Sequence, residues 1–516
     1  MNPKSPTLLL SHQPRVALLI GLLSIAAILN TPEDSLGKPK EIFKTHPIVP
    51  EKELLITDPA VVDSGIAIYP GALSFGYLME QLAGTDDPSD FVRGWLESWE
   101  IDQKINGHVV AARKDFAALI TDPWQARDGF AGEPRTDWKV DLANAPFRLL
   151  AVVNRIDMGG VIQLSDGDAS FGNGSFGFTS VPEYYGDSDQ SGGEFRLVFG
   201  ATDPGGEPLE GGFTVIFEYS LPNLISAGSS TSSRSAALAF VGLPEPSAAD
   251  ETLESRLDVA RYAARWHALG AFEDFDESYL QHLSELAAEC TDRKAGKDGK
   301  AATAPPLAQL RTNEGAFDEV QEAREFDYRE DYLVPSPVAA TPDVSFAQDP
   351  EAERGLTRFI NQNDDIILTS LHRVPAKVRD PRDPRKQVPF LAGSALMPKL
   401  DGEEQASSFF WDAERVRKPE ALRLFSLNTC SGCHCAETDT EFYHIAPRRH
   451  GEASRLSKYL RMDSSEFEID PPNGRGRKVE FNEMVQRAVI FEALLDPYLS
   501  ERDIRRILRK RTRSSH

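Results

Sequence analysis

The stretch from Asn428 to Thr438 reads NTCSGCHCAET. It holds three of the chain's four cysteines, Cys430, Cys433 and Cys435, with His434 set between the last two. Thiols and an imidazole in that spacing offer three kinds of chemistry. Two thiols two residues apart reach the two vinyl groups along one edge of a haem, and the histidine that follows is carried under the iron. Alternatively, Cys430, Cys433 and Cys435 with His444 or His450 supply the four ligands of a tetrahedral zinc site. The third option is a simple disulfide loop.

The flanking residues weigh on this choice. Four cysteines in 516 residues are too few for a disulfide scaffold, and no second C-x-x-C pair is present to complete a common zinc pattern. The run PEALRLFSLNTCSGCH resembles the c-type cytochromes, in which a first helix leads into the attachment site. Pro419 suits the first helical position, Glu420 the first turn, and Leu424 and Phe425 supply packing. By that resemblance Cys430 and Cys433 form thioethers to haem c, and His434 is the proximal iron ligand.

The resemblance also implies a distal methionine downstream, and Met462 in KYLRMDSS, where a short helix ends, fits that place. Met484 lies on a stripe with Ala488, Phe491 and Leu495 and reads as core. His444, Met397 and an open sixth position stand as the alternatives. The chain departs from the family in having no clear glycine-proline loop or methionine-proline segment after the motif. The order ELLITDPAVV, NAPFRLLAVVNRID, FSLNTCSGCH is similar to that of an otherwise uncharacterised family of exported bacterial proteins. A third thiol beside two haem thiols invites oxidation unless it is shielded. Either Cys435 pairs with Cys290, stapling the middle of the chain to its C-terminal part, or both are buried thiols.

Lys4 and Arg15 precede the apolar run VALLIGLLSIAAIL, Val16 to Leu29. That run is shorter than the roughly 20 residues a membrane-spanning helix needs. Residues 1–30 therefore read as a signal peptide or N-terminal anchor, which places the protein in the periplasm or outside the cell. Residues 31–53, rich in Pro, Lys and Glu, read as a tether. A net charge of −24 excludes nucleic acid as a general partner. Membrane contact is left to the N-terminal segment or to the basic tail RDIRRILRKRTRSSH.

The elements that must position the motif follow from periodicity. In 54–143 Phe91, Trp95 and Trp99 recur at helical spacing and read as core. In 144–242 NAPFRLLAVVNRID reads as a buried strand, and GEFRLVFG with GGFTVIFEY as an antiparallel pair. In 243–349, a helical unit with linkers, Leu253, Leu257, Ala260 and Ala264 form one stripe. His267 on that stripe reads as a satisfied core histidine, and Tyr279, Leu283, Leu286 and Cys290 share a face of the next helix. Residues 350–516 form the haem-type unit. The fold class is α+β and multidomain: an antiparallel β-rich central unit flanked by helices, with a mainly α, cytochrome c-like C-terminal unit.

Other motifs add little. GDSDQSGGE begins like a calcium loop at Asp187 and Asp189, but Val198 occupies the place of the bidentate glutamate, so calcium is not expected. Arg448, Arg449, Arg455, Lys458 and Arg461 form a basic cluster suited to haem propionates or an anionic partner, or a solvated face. GNGSFG lacks the first glycine of a nucleophile elbow. The function expected is electron transfer by an exported single-haem c-type protein with a redox partner protein. The alternatives are a peroxidase-like haem enzyme with an open distal site, and a non-catalytic surface or binding protein with a structural zinc or disulfide.

Overall fold

In the computed structural model an eight-stranded antiparallel sheet links segments between Leu55 and Met397. The described residues are 43–158, 191–222, 251–294, 304–317, 321–368, 372–397, 410–461, 467–469 and 479–498, save single positions within them. The strands are β1 (Leu55–Ile56), β2 (Phe147–Arg155), β3 (Ser191–Ala201), β4 (Phe213–Pro222), β5 (Leu307–Glu314), β6 (Gln321–Arg329), β7 (Tyr332–Ser336) and β8 (Ala395–Met397). They run in the order β1-β2-β3-β4-β5-β6-β8, and β7 also pairs with β6. The helices used below are α1 (Phe75–Ala83), α2 (Ser89–Glu97), α3 (Glu251–His267), α4 (Glu277–Thr291), α5 (Pro350–Gln362), α6 (Pro419–Leu427), α7 (Cys430–Cys433) and α8 (Glu483–Leu494).

Successive side chains on a strand point to opposite faces, and here the two faces differ in chemistry. In β3 and β4 the pairs Phe195↔Tyr219, Leu197↔Phe217 and Phe199↔Val215 share one face. Helices cover that face. Phe75 of α1 stacks on Phe147 with ring centroids 4.1 Å apart. Trp99, just past α2, meets Phe213 at 5.4 Å, and Trp266 of α3 meets Phe195 at 5.7 Å. Phe91, Trp95 and Trp99 are buried, as their spacing requires. Buried aromatic pairs of this kind add about 1 kcal/mol each beyond area burial, so this layer holds the sheet to its helices.

The opposite face carries Arg196, Glu218, Arg311 and Glu325, with Arg196 opposite Glu218 and Arg311 opposite Glu325 in the register. Glu218 and Glu325 are buried. A charged face can be buried only where it is paired and covered. Residues of the C-terminal part, from α6 through α8, cover it.

Several expectations are met and others corrected. The strand at 147–155 and the β3–β4 pair form as their patterns predict, within an α+β architecture. The stretch 307–336, expected among linkers of a helical unit, instead supplies β5, β6 and β7 to the main sheet. Its charged residues mask the alternation because they face inward, away from water. Residues 43–53 are not a free tether: Phe43 N–H donates to Leu495 O at 3.2 Å, and Glu53 is buried. No Cys290–Cys435 disulfide forms. All four cysteines are thiols, and Cys290 lies in the aromatic core layer, where burial pushes it up to about 12. The export segment and the loop holding Asp187 and Asp189 lie outside the described residues. Among the described residues no helix is long and apolar enough to cross a membrane.

Candidate functional site

The CSGCH motif begins where α6 ends. Pro419 at the first position starts α6, and Lys418 is tied to Asp364 at 3.2 Å and to Asp365 at 2.8 Å. The helix stops at Asn428, whose side-chain amide donates to Leu424 O at 2.7 Å and so competes with continuation of the ladder. Thr429 then caps α7: its Oγ1 accepts from Gly432 N at 3.0 Å and from Trp411 Nε1 at 2.8 Å, while its hydroxyl donates to Ser426 O at 2.7 Å. Gly432 is required because a Cβ there would lie 2.3 Å from Ser426 O. Cys430 N–H donates to Thr341 Oγ1 at 2.8 Å, and Ser431 Oγ to Leu396 O at 3.1 Å, so the short helix is docked against β8 and the segment that follows β7.

This docking places Cys430, Cys433 and His434 on the wall of a cavity of about 300 Å³. The charged sheet face forms its floor. There Arg196 Nη1 lies 3.1 Å from Glu218 Oε1, and Arg311 Nε lies 2.9 Å from Glu325 Oε1 and 3.4 Å from Glu218 Oε2. Arg155 of β2 joins them, 3.0 Å from Asp157 and 3.7 Å from Glu483 of α8. His444 and Tyr459 complete the wall, with ring centroids 5.0 Å apart.

His434 Nδ1 donates to the carbonyl of Phe442. A carbonyl only accepts, so the proton is on Nδ1 and Nε2 carries a lone pair. Phe442 adopts φ 103°, a region bulky residues rarely enter, and strain of this kind is concentrated at functional sites. His444 Nδ1 lies 2.9 Å from Ser457 Oγ, and its Nε2 lies 3.3 Å from Cys433 Sγ. Burial holds His434 down at about 4 and His444 well below the usual imidazole range, so both rings are neutral near pH 7. It also pushes the Cys433 thiol up to about 12 and raises Cys430. Two protonated thiols and a neutral imidazole are poor nucleophilic machinery.

The other candidates are distributed differently. Met484 is core, as its stripe predicts, and Met397 packs with Ala323, Val338, Ala395 and Phe442. Met462 lies outside the described residues. The basic cluster does not act as one surface: Arg448 is buried, 2.8 Å from Asp63 and bonded to Leu149 O, whereas Arg449 is exposed on Glu207. The arginines that line the cavity are Arg155, Arg196, Arg311 and Arg324 of the sheet and Arg487 of α8. The four-ligand zinc set is not gathered, since His450 is exposed and paired with Asp63 at 3.2 Å, and no three of its members converge.

Among the described residues His46, Glu53 and His267 do converge as metal-type ligands. Their hydrogen bonds explain the grouping without an ion. His267 Nε2 accepts from Thr45 N–H at 3.2 Å, so Nδ1 holds the proton and donates to Glu53 Oε2 at 2.9 Å. Neither nitrogen has a lone pair to spare, and His267 is the satisfied core histidine its position predicts. One buried group was not foreseen: Glu437, three places after His434, accepts from Ser426 Oγ and from Phe410 N–H at 2.8 Å, and burial lifts it to about 7. Comparison of the chain with family models, curated proteins and solved structures returned no match.

Proposed function

We propose that the chain is an exported single-haem c-type protein that passes electrons through a haem attached at Cys430 and Cys433, with His434 as the proximal ligand. One observation carries this reading: the motif's two thiols and its imidazole line the same cavity, above a floor of sheet arginines. A bound haem supplies one-electron iron chemistry. The protein's own residues do the rest. Phe442 O holds His434 in the tautomer whose Nε2 can bind iron, an arrangement that fixes ring orientation and raises ligand basicity.

Arg155, Arg196 and Arg311 offer guanidinium donors for propionates, while Leu424, Leu427 and Ile445 give the cavity apolar wall for a macrocycle. The fit is one of donor set, since the rest of the lining is largely ionic. Electron transfer would be to a redox partner protein in the periplasm or outside the cell. The test is to produce the full chain in a host with haem-attachment machinery and stain a denaturing gel for haem. The expected result is a stained band for the wild type and markedly weaker stain for Cys433→Ala. An unstained wild-type band contradicts the proposal.

A further inference from the structure

We infer that residues 43–48 are a strap latched on His267, and that a proton taken up by that ring releases the strap. His267 is the last residue of α3 and is buried, as is Glu53. Thr45 N–H and His46 N–H both donate to its Nε2, at 3.2 and 3.4 Å. An amide N–H only donates, so Nε2 is the acceptor and the ring proton is on Nδ1, which donates to Glu53 Oε2 at 2.9 Å. The His46 ring stacks on His267 with centroids 3.8 Å apart. Gly270 permits this approach, since a Cβ there would stand 2.1 Å from Glu53 Oε1 and 2.5 Å from His46 Cε1.

A proton on Nε2 turns the acceptor into a third donor facing two others. The Glu53 carboxylate and the C-terminal end of α3 both favour a positive ring, so the two strap amides are what oppose the charge, and they are the groups able to leave. The other ties of the strap are slight: Phe43 N–H donates to Leu495 O at 3.2 Å, and Lys44 pairs with Glu492 of α8 at the surface. The turn that follows, Pro50–Glu53, is held separately by Lys52 Nζ on Phe272 O at 2.6 Å and Glu273 O at 2.8 Å. Around the ring the remaining charged and titratable groups are engaged elsewhere. Arg265 pairs with Glu289 of α4, and His282 Nε2 lies 3.0 Å from Arg265 O. Histidine is the side chain that ordinarily changes charge between about pH 5 and 8, so mild acid is the trigger. Release frees six residues next to the N-terminal segment, about 20 Å of chain when extended.

The test is amide hydrogen exchange of the full chain at pH 7.5 and 5.5, corrected for the intrinsic pH dependence, in wild type, His267→Gln and His46→Phe. In wild type, protection of peptides covering 43–49 should fall about tenfold or more at pH 5.5 while those covering β2 keep theirs. His267→Gln retains an acceptor for the strap and a donor for Glu53 but takes up no proton, so its protection should be the same at both pH values. His46→Phe keeps a stacked ring and should respond as wild type does. Equal wild-type protection at the two pH values overturns the latch, and so does a His267→Gln chain that still releases. A response lost in His46→Phe overturns the assignment to His267. Parallel loss of protection in β2 overturns it in favour of general unfolding. Should His267→Gln not fold, wild type and His46→Phe decide. None of these outcomes depends on haem, so the latch and the haem reading stand or fall separately.

Discussion

At the residue scale the site depends on groups whose ordinary protonation is altered by burial. Glu437 is the clearest case. Its carboxyl is raised from 4.5 to about 7, so between those values the folded chain holds a proton that the unfolded chain has released. The folded state therefore binds more protons there, and stability falls as pH rises from about 4.5 to 7, then levels. Glu437→Gln should remove that slope and stabilise the protein by on the order of 2 kcal/mol at pH 8 relative to wild type, as read from urea unfolding at pH 5 and 8. An unchanged slope would show that Glu437 ionises freely. The CSGCH cluster was legible as a candidate site because its spacing narrows the chemistry to haem attachment, a zinc site or a disulfide. Glu437 was not, because nothing in AETDT marks one acid among 80 as buried.

At the scale of elements, the motif is positioned by two short helices meeting at Thr429. Three hydrogen bonds converge on its hydroxyl, from Gly432, Trp411 and to Ser426. Thr429→Val removes the cap and leaves the Trp411 indole N–H unmet, so a loss of about 2–3 kcal/mol is expected in thermal or denaturant unfolding. Gly432→Ala should be worse for function than for fold, since its Cβ would press on Ser426 O and push α7 away from the cavity. Reduced haem stain with retained far-ultraviolet dichroism is the expected result. Equal staining would mean that the contact yields. Pro419 and the apolar spacing announced α6, and PEALRLFSLN could be read directly. The capping by Thr429 was not read from the sequence, and its Trp411 partner stands before α6, where no local pattern reveals it.

At the scale of the whole molecule, one sheet divides an aromatic layer from an ionic one. Alternation in GEFRLVFG and GGFTVIFEY revealed β3 and β4. In QLRTNE and EAREFDYR the inward positions are charged, and a charged run ordinarily signals a solvated face. That is why β5 and β6 read as linkers, although Arg311 and Glu325 stand opposite each other under the C-terminal helices. The face is sensitive to loss of one partner. Arg311→Met would leave Glu218 and Glu325, each 1% exposed, without their shared cation, and about 3–5 kcal/mol of destabilisation is expected in denaturant unfolding. By contrast, Phe217→Ala on the aromatic face should cost about 3–5 kcal/mol through a cavity, with the cavity floor and haem stain preserved. Similar losses of stability with opposite effects on staining would separate the two layers.

The most direct measurement of the central claim is the intact mass of the full chain, matured in a haem-competent host, then denatured and alkylated with iodoacetamide. The account predicts a mass increase of one haem and alkylation of Cys290 and Cys435 alone, with Cys430 and Cys433 blocked. Four alkylated cysteines and no added haem mass would contradict it.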